Sequence, residues 1–139
     1  MEALQPTNPD FDLIGGGPGV DRLVEAFYRN MDQRPDARSI RAMHADDLEP
    51  TRKILKLYLR EWLGGPKDYS SQRGHPRLRK RHAGYAIGPV ERDAWLGCMN
   101  AALDEVVTEP SFRDKLKSSF HKLADWVRND LENEHDKHR

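Results

Sequence analysis

Residues 74–88 read GHPRLRKRHAGYAIG. Five cations, Arg73, Arg77, Arg79, Lys80 and Arg81, crowd into nine residues just ahead of one imidazole, His82, and an uncharged Ala-Gly-Tyr-Ala-Ile segment follows at once. A neutral imidazole can ligate a metal through a ring nitrogen, and guanidinium groups beside it can hold an anionic ligand in place. The same run could instead contact phosphates along a nucleic acid, with Tyr69 or Tyr85 stacking on bases, or form a solvated helix face.

The rest of the chain weighs these uses. It has 139 residues, the size of one domain, with 23 Lys+Arg against 23 Asp+Glu. No global field therefore draws it to nucleic acid or an acidic membrane, and any anion site must be local. The basic run is short and no recognised nucleic-acid motif accompanies it, which favours a counter-charge for one ligand beside His82. Cys98 is the single cysteine, so there is no internal disulfide framework and a reducing compartment is expected. The opening MEALQPTNPD lacks a secretory pattern, and nowhere do about 18 apolar residues run together. A cytoplasmic protein without a membrane segment is expected.

Other candidates reduce to plainer readings. Gly15-Gly16-Gly17-Pro18-Gly19 resembles a nucleotide loop, but Val20 stands where the dinucleotide pattern needs glycine, and no Gly-Lys-Ser/Thr follows. A tight turn feeding a helix that starts at Pro18 is the better reading. His135 and His138 have no carboxylate or cysteine at ligand spacing. Cys98 lies on an apolar helical face, where free cysteine acts as a small hydrophobe.

Four long helices must position these groups. Val20, Leu23, Val24, Phe27, Tyr28 and Met31 are spaced three and four apart, and Leu48, Thr51, Ile54, Leu55, Tyr58, Leu59, Trp62 and Leu63 repeat the period up to Gly64-Gly65-Pro66. Pro89 opens a third helix bearing Trp95, Cys98, Met99, Ala102, Leu103 and Val106. Pro110 opens a fourth bearing Phe112, Leu116, Phe120, Leu123 and Val127. The 67–75 segment reads as a long loop, with one short helix from Pro76 to His82. The chain is therefore expected to be all-α. Its organisation is read as an N-terminal extension over 1–10, a domain over 11–128 and a charged tail over 129–139.

On facing helices, Tyr28, His44, Thr51, Leu55 and Trp95 would enclose an apolar cavity with a few hydrogen-bonding groups, lined further by Phe27, Tyr58 and Met99. A flat apolar cofactor with a metal centre and two carboxylates would use imidazole, cations and aromatic shell together. The residues that carry the next step are Gly15-Gly16, Gly64-Gly65-Pro66, Phe27-Tyr28, GHPRLRKRH ending at His82, and ERDAWLGCM containing Trp95. With them the sequence closely resembles the group II truncated haemoglobins, from about Phe11 to about Val127.

That resemblance implies a two-over-two helical sandwich holding haem b between its layers. It makes His82 the proximal iron ligand, Tyr28 and Trp95 distal donors, His44 a distal residue after the first long helix, and Thr51 the gate. Arg79, Arg81, Tyr69, Tyr85, Ile87, Leu55, Tyr58 and Met99 join His82 around the haem. The sequence departs from the family in following His82 with Ala83-Gly84-Tyr85, where many members carry a proline, and in a longer 33–41 connection. The implied function is reversible binding of dioxygen, carbon monoxide and nitric oxide. Nitric oxide dioxygenase or peroxidase turnover is a further option, and dioxygenase turnover would require a reductase, since no flavin or nicotinamide domain is apparent. The family implies a monomer or homodimer. The alternative from the residues alone is a cofactor-free helical module that binds an anion or nucleic acid through Arg73 to Arg81.

Overall fold

In the computed structural model the described residues are 9–74, 82 and 87–127. They form α1 (Asp10–Leu13), α2 (Gly16–Gln33), a 3₁₀ turn (Pro35–Ala37), α3 (Arg38–Ala42), α4 (Glu49–Trp62), α5 (Asp68–Arg73), α6 (Pro89–Val106) and α7 (Pro110–Val127). Among the described residues no strand occurs, and no helix is long and apolar enough to cross a membrane.

Each long helix begins and ends for a local reason. α2 starts two residues before Pro18, where Gly15 at φ 102° and Gly16 at φ 66° together supply the left-handed turn into the helix. It stops where Arg34, which precedes Pro35, is extended. α4 opens with the Glu49 N–H donating to the Asp47 carboxylate and closes as the Gly65 N–H donates to the Arg60 carbonyl, with Gly64 at φ 100°. The Glu91 carboxylate accepts the Gly88 N–H at 2.8 Å ahead of α6. The Glu109 carboxylate accepts the N–H groups of Ser111 and Phe112 at the start of α7, which holds its pKa below the ordinary value.

Two layers result. α2 and α4 pack together, α6 and α7 pack together, and α2 lies along α6. The second cross-link joins α4 to α7 through the Trp62 and Phe120 rings, 4.6 Å between centroids. The core is built from Leu23, Val24 and Phe27 of α2, Cys98, Met99 and Leu103 of α6, and Leu116 and Phe120 of α7. Cys98 is fully buried, and that burial pushes its thiol up to about 11, which suits a small hydrophobe rather than a nucleophile. The all-α two-over-two expectation holds.

The short elements differ from the sequence reading. The 67–75 segment is not a long loop, since α5 occupies Asp68–Arg73. The Glu61 carboxylate accepts both the N–H and the hydroxyl of Ser70, and Tyr69 is buried against Tyr58, so tertiary partners hold a turn of helix that has no period of its own. The count of one short helix also falls, because α1, the 3₁₀ turn and α3 are present as well. The expected helix from Pro76 to His82 has only His82 among the described residues, and the expected charged tail lies outside them.

Candidate functional site

Adjacent residues on α2 define one wall. Phe27 and Tyr28 meet edge to face at 4.9 Å, and Phe27 also tilts against Trp95 of α6 at 5.2 Å. Trp95 continues to Phe120 of α7 at 6.0 Å. Phe27 thus sets the spacing between Tyr28 and Trp95, two residues that come from opposite layers. On the far side of Tyr28, the His44 ring stands at 6.0 Å, nearly perpendicular. His44 itself is tied down by a 2.8 Å bond between Nδ1 and the Ile40 carbonyl oxygen.

Tyr28 is 4 % exposed, and burial raises its pKa well above the usual tyrosine value against a smaller opposing pull from Arg52. The phenol therefore remains an O–H donor throughout the physiological range. Neither that hydroxyl nor the Trp95 indole N–H has a hydrogen-bond partner among the described residues.

α4 supplies the second wall. Thr51, Leu55, Tyr58 and Trp62 sit along it half-buried, and only Leu59 within this helix is fully buried. Tyr58 meets Tyr69 at 5.5 Å, edge to face, and its phenol is pushed up to about 12 by burial, with Tyr69 and Glu61 adding to the shift. Arg73 lies over the outer face of Tyr69, 5.9 Å from the ring centre, so the first cation of the basic run rests on an aromatic ring. Met99 is fully buried in the core, and His82 and Ile87 are half-buried. Arg79, Arg81 and Tyr85 lie outside the described residues.

The structure thus brings Tyr28, Trp95 and His44 into one aromatic cluster and Tyr58 and Tyr69 into another. Two residues escaped the sequence reading. Ile40 anchors His44 through its carbonyl, for which the only sequence signal is the spacing of four, and Arg52 is the charge that acts on Tyr28.

The profile of the bacterial-like globin family matches residues 10–129. Over 130 residues the chain is 33% identical to the group 2 truncated hemoglobin YjbI of Bacillus subtilis (strain 168), covering 94% of this chain and 96% of that protein. The chain is a group II truncated haemoglobin. Two solved structures carry the same fold. The cold-adapted truncated hemoglobin of Pseudoalteromonas haloplanktis TAC125 has a TM-score of 0.85 and 36% identity, covering 87% of this chain and 98% of that one. The group II 2-on-2 hemoglobin of Agrobacterium tumefaciens has a TM-score of 0.83 and 37% identity, covering 93% of this chain and 98% of that one.

As a truncated haemoglobin the chain is a haem globin that binds diatomic gases such as dioxygen. Its residues fit that group. Haem is flat and apolar over most of its area, and the half-buried stripe of α4 is an apolar surface of the right character. The Tyr28 hydroxyl and the Trp95 N–H are donors for a polar gas. Among the described residues no set of three or more His, Cys, Asp or Glu is arranged to hold a bare metal ion. The globin identity lends no support to the cofactor-free anion-binding module.

Proposed function

We propose that the group bound is haem b, that His82 is its single protein ligand, and that the globin domain spans 11–128. The observation that supports this reading is the placement of Tyr28 and Trp95 on either side of Phe27, with no hydrogen-bond partner among the described residues, together with the half-buried apolar stripe of α4. Arg79 and Arg81 would meet the propionates, and Tyr69, Tyr85, Ile87, Leu55, Tyr58 and Met99 would surround the macrocycle. When bound, haem supplies an iron with a coordination position open to dioxygen, carbon monoxide or nitric oxide.

The chain's own residues set how such a ligand is held. His82 must be neutral to offer a lone pair, and its other ring N–H needs an acceptor that fixes the ring plane. Tyr28 would donate its hydroxyl and Trp95 its indole N–H to a bound dioxygen that gathers negative charge. Each bond contributes about 0.5–1.5 kcal/mol. Two of them slow release by roughly tenfold to a hundredfold, since about 1.4 kcal/mol is one decade. Phe27 holds the two donors at their spacing, and Thr51 at the start of α4 stands where a gate residue would stand.

Slow release suits oxygen chemistry or sensing more than bulk delivery. Turnover of nitric oxide would add a reductase as partner, with the protein acting in the cytoplasm as a monomer or homodimer. The test is an absorption spectrum of the purified chain, reconstituted with hemin, reduced and exposed to carbon monoxide. A sharp Soret band that shifts on carbon monoxide supports the reading, and its absence after reconstitution overturns it.

A further inference from the structure

A helix as short as α5 does not hold itself together in water. Among the described residues its main packing partner is α4, and two side chains of α4 keep it in place. The Glu61 carboxylate accepts the Ser70 N–H at 2.9 Å through one oxygen and the Ser70 hydroxyl through the other. These bonds hold the Glu61 carboxyl below its ordinary pKa, so the acceptor is charged at neutral pH. One turn earlier on α4, the Tyr58 ring meets the edge of Tyr69, which is 3 % exposed.

The glycine joints on either side of α5 differ. Gly64 at φ 100° and Gly65 turn the chain out of α4, and Gly65 is hemmed in by the Phe11 ring and the Arg60 carbonyl. At the other end Gly74 sits at φ 75° and ψ −159°, a backbone region open in practice to glycine alone. A methyl carbon built on Gly74 would meet no atom of the described residues within 4 Å. One end of α5 is thus anchored in packed structure, while the other is free to swing.

The surface that α5 covers belongs to the site. Tyr58 shares its face of α4 with Thr51, Leu55 and Trp62, the half-buried apolar stripe, and Tyr69 packs on its flank. Lifting α5 from α4 would therefore open that stripe from outside. Tyr28 and Trp95 are held instead through Phe27, which takes no part in this contact.

We propose that α5 is a strap across the haem site, latched to α4 by Glu61 at Ser70, whose release lets haem enter and leave while the hold on a bound gas is unchanged. This inference rests on the haem-globin reading. The device separates two rates that one pocket would otherwise share. Haem exchange follows the latch, and gas release follows the two donors.

The experiment follows transfer of ferric haem from the loaded protein to an excess of a haem-free globin, read at the Soret band. Glu61→Ala removes both bonds to Ser70 and should speed haem loss roughly tenfold. Glu61→Gln keeps an amide oxygen that accepts from Ser70, and should return the rate to within about threefold of wild type. Dioxygen and carbon monoxide release should stay within about twofold in both variants, as expected for a site independent of the donors. Hydrogen exchange on the loaded protein gives a readout that a general loss of stability would not reproduce. In Glu61→Ala the amides of 68–73 should exchange faster, while those of α2 and α6 keep their wild-type protection. Unchanged haem loss in Glu61→Ala, no recovery in Glu61→Gln, gas release accelerated as much as haem loss, unchanged exchange over 68–73, or faster exchange throughout α2 and α6 overturns the proposal. Should Glu61→Ala fail to fold, Ser70→Ala removes the hydroxyl bond alone and should speed haem loss roughly threefold, and an unchanged rate there overturns the proposal equally. A wild-type chain that takes up no haem overturns the haem-globin reading instead.

Discussion

α2 and α4 are both strongly amphipathic and lie in the same layer, yet they use their apolar faces differently. α2 buries Val20, Leu23, Val24, Ala26, Phe27, Tyr28 and Met31 against protein, whereas α4 buries only Leu59 and leaves Thr51, Ile54, Leu55, Tyr58 and Trp62 half-buried. The hydrophobic effect does not leave a whole apolar stripe partly wet without a reason. α2 buries its apolar face in the core, while the apolar face of α4 is only half covered by protein among the described residues.

Several measurements would break or sharpen this contrast. The largest effect is expected from His82→Ala, which should abolish the axial ligand and release haem, seen as loss of the ferrous Soret features; an unchanged spectrum would remove His82 from the site. Next, Leu23→Ala on α2 should cost about 2–5 kcal/mol in urea unfolding whether haem is present or stripped. Leu55→Ala on α4 should cost less than about 1 kcal/mol in the stripped protein and clearly more in the loaded one, because its packing partner there is the ligand. Equal costs in both forms would make α4 an ordinary core helix.

Smaller changes test the donors and the surface. Tyr28→Phe or Trp95→Phe should speed dioxygen release by roughly three- to tenfold each, with little change in unfolding midpoint. Unaltered rates in both would show that these donors do not face the ligand. The smallest effect belongs to Glu25, which pairs with Lys56 at 2.7 Å and reaches Arg52 at 3.8 Å on the exposed side of α4. Glu25→Gln should shift stability by less than about 1 kcal/mol, and less again in high salt.

The four long helices were legible because each repeats apolar residues over enough turns for the three-and-four period to emerge. α1, α3 and α5 were not, since four to six residues show no period. Ser70 and Tyr69 read as loop chemistry until Glu61 and Tyr58 are placed beside them. The Gly15 to Gly19 run was taken as a tight turn feeding a helix from Pro18, but the helix begins at Gly16, with Gly15 and Gly16 both at positive φ. At the candidate site, residue type and helix period indicated a cavity with Tyr28 and Trp95, while the roles of proximal ligand for His82 and distal donors for Tyr28 and Trp95 came from resemblance. Periodicity could not supply those roles, because it does not say which helices face each other. The anchoring of His44 was invisible in sequence, as it depends on where one carbonyl, that of Ile40, happens to point.

The junction of α1 with the rest of the domain has a consequence for variation. A methyl carbon built on Gly19 would lie 1.9 Å from the Ile14 carbonyl oxygen, and one on Gly65 would lie 2.7 Å from the Phe11 ring and 2.8 Å from the Arg60 carbonyl. The Phe11 N–H donates to the Leu63 carbonyl at 2.9 Å across that same gap. The N-terminal helix is therefore seated by two missing side chains as much as by any attraction. In a library that samples every amino acid at each position, 19 and 65 should return glycine almost alone.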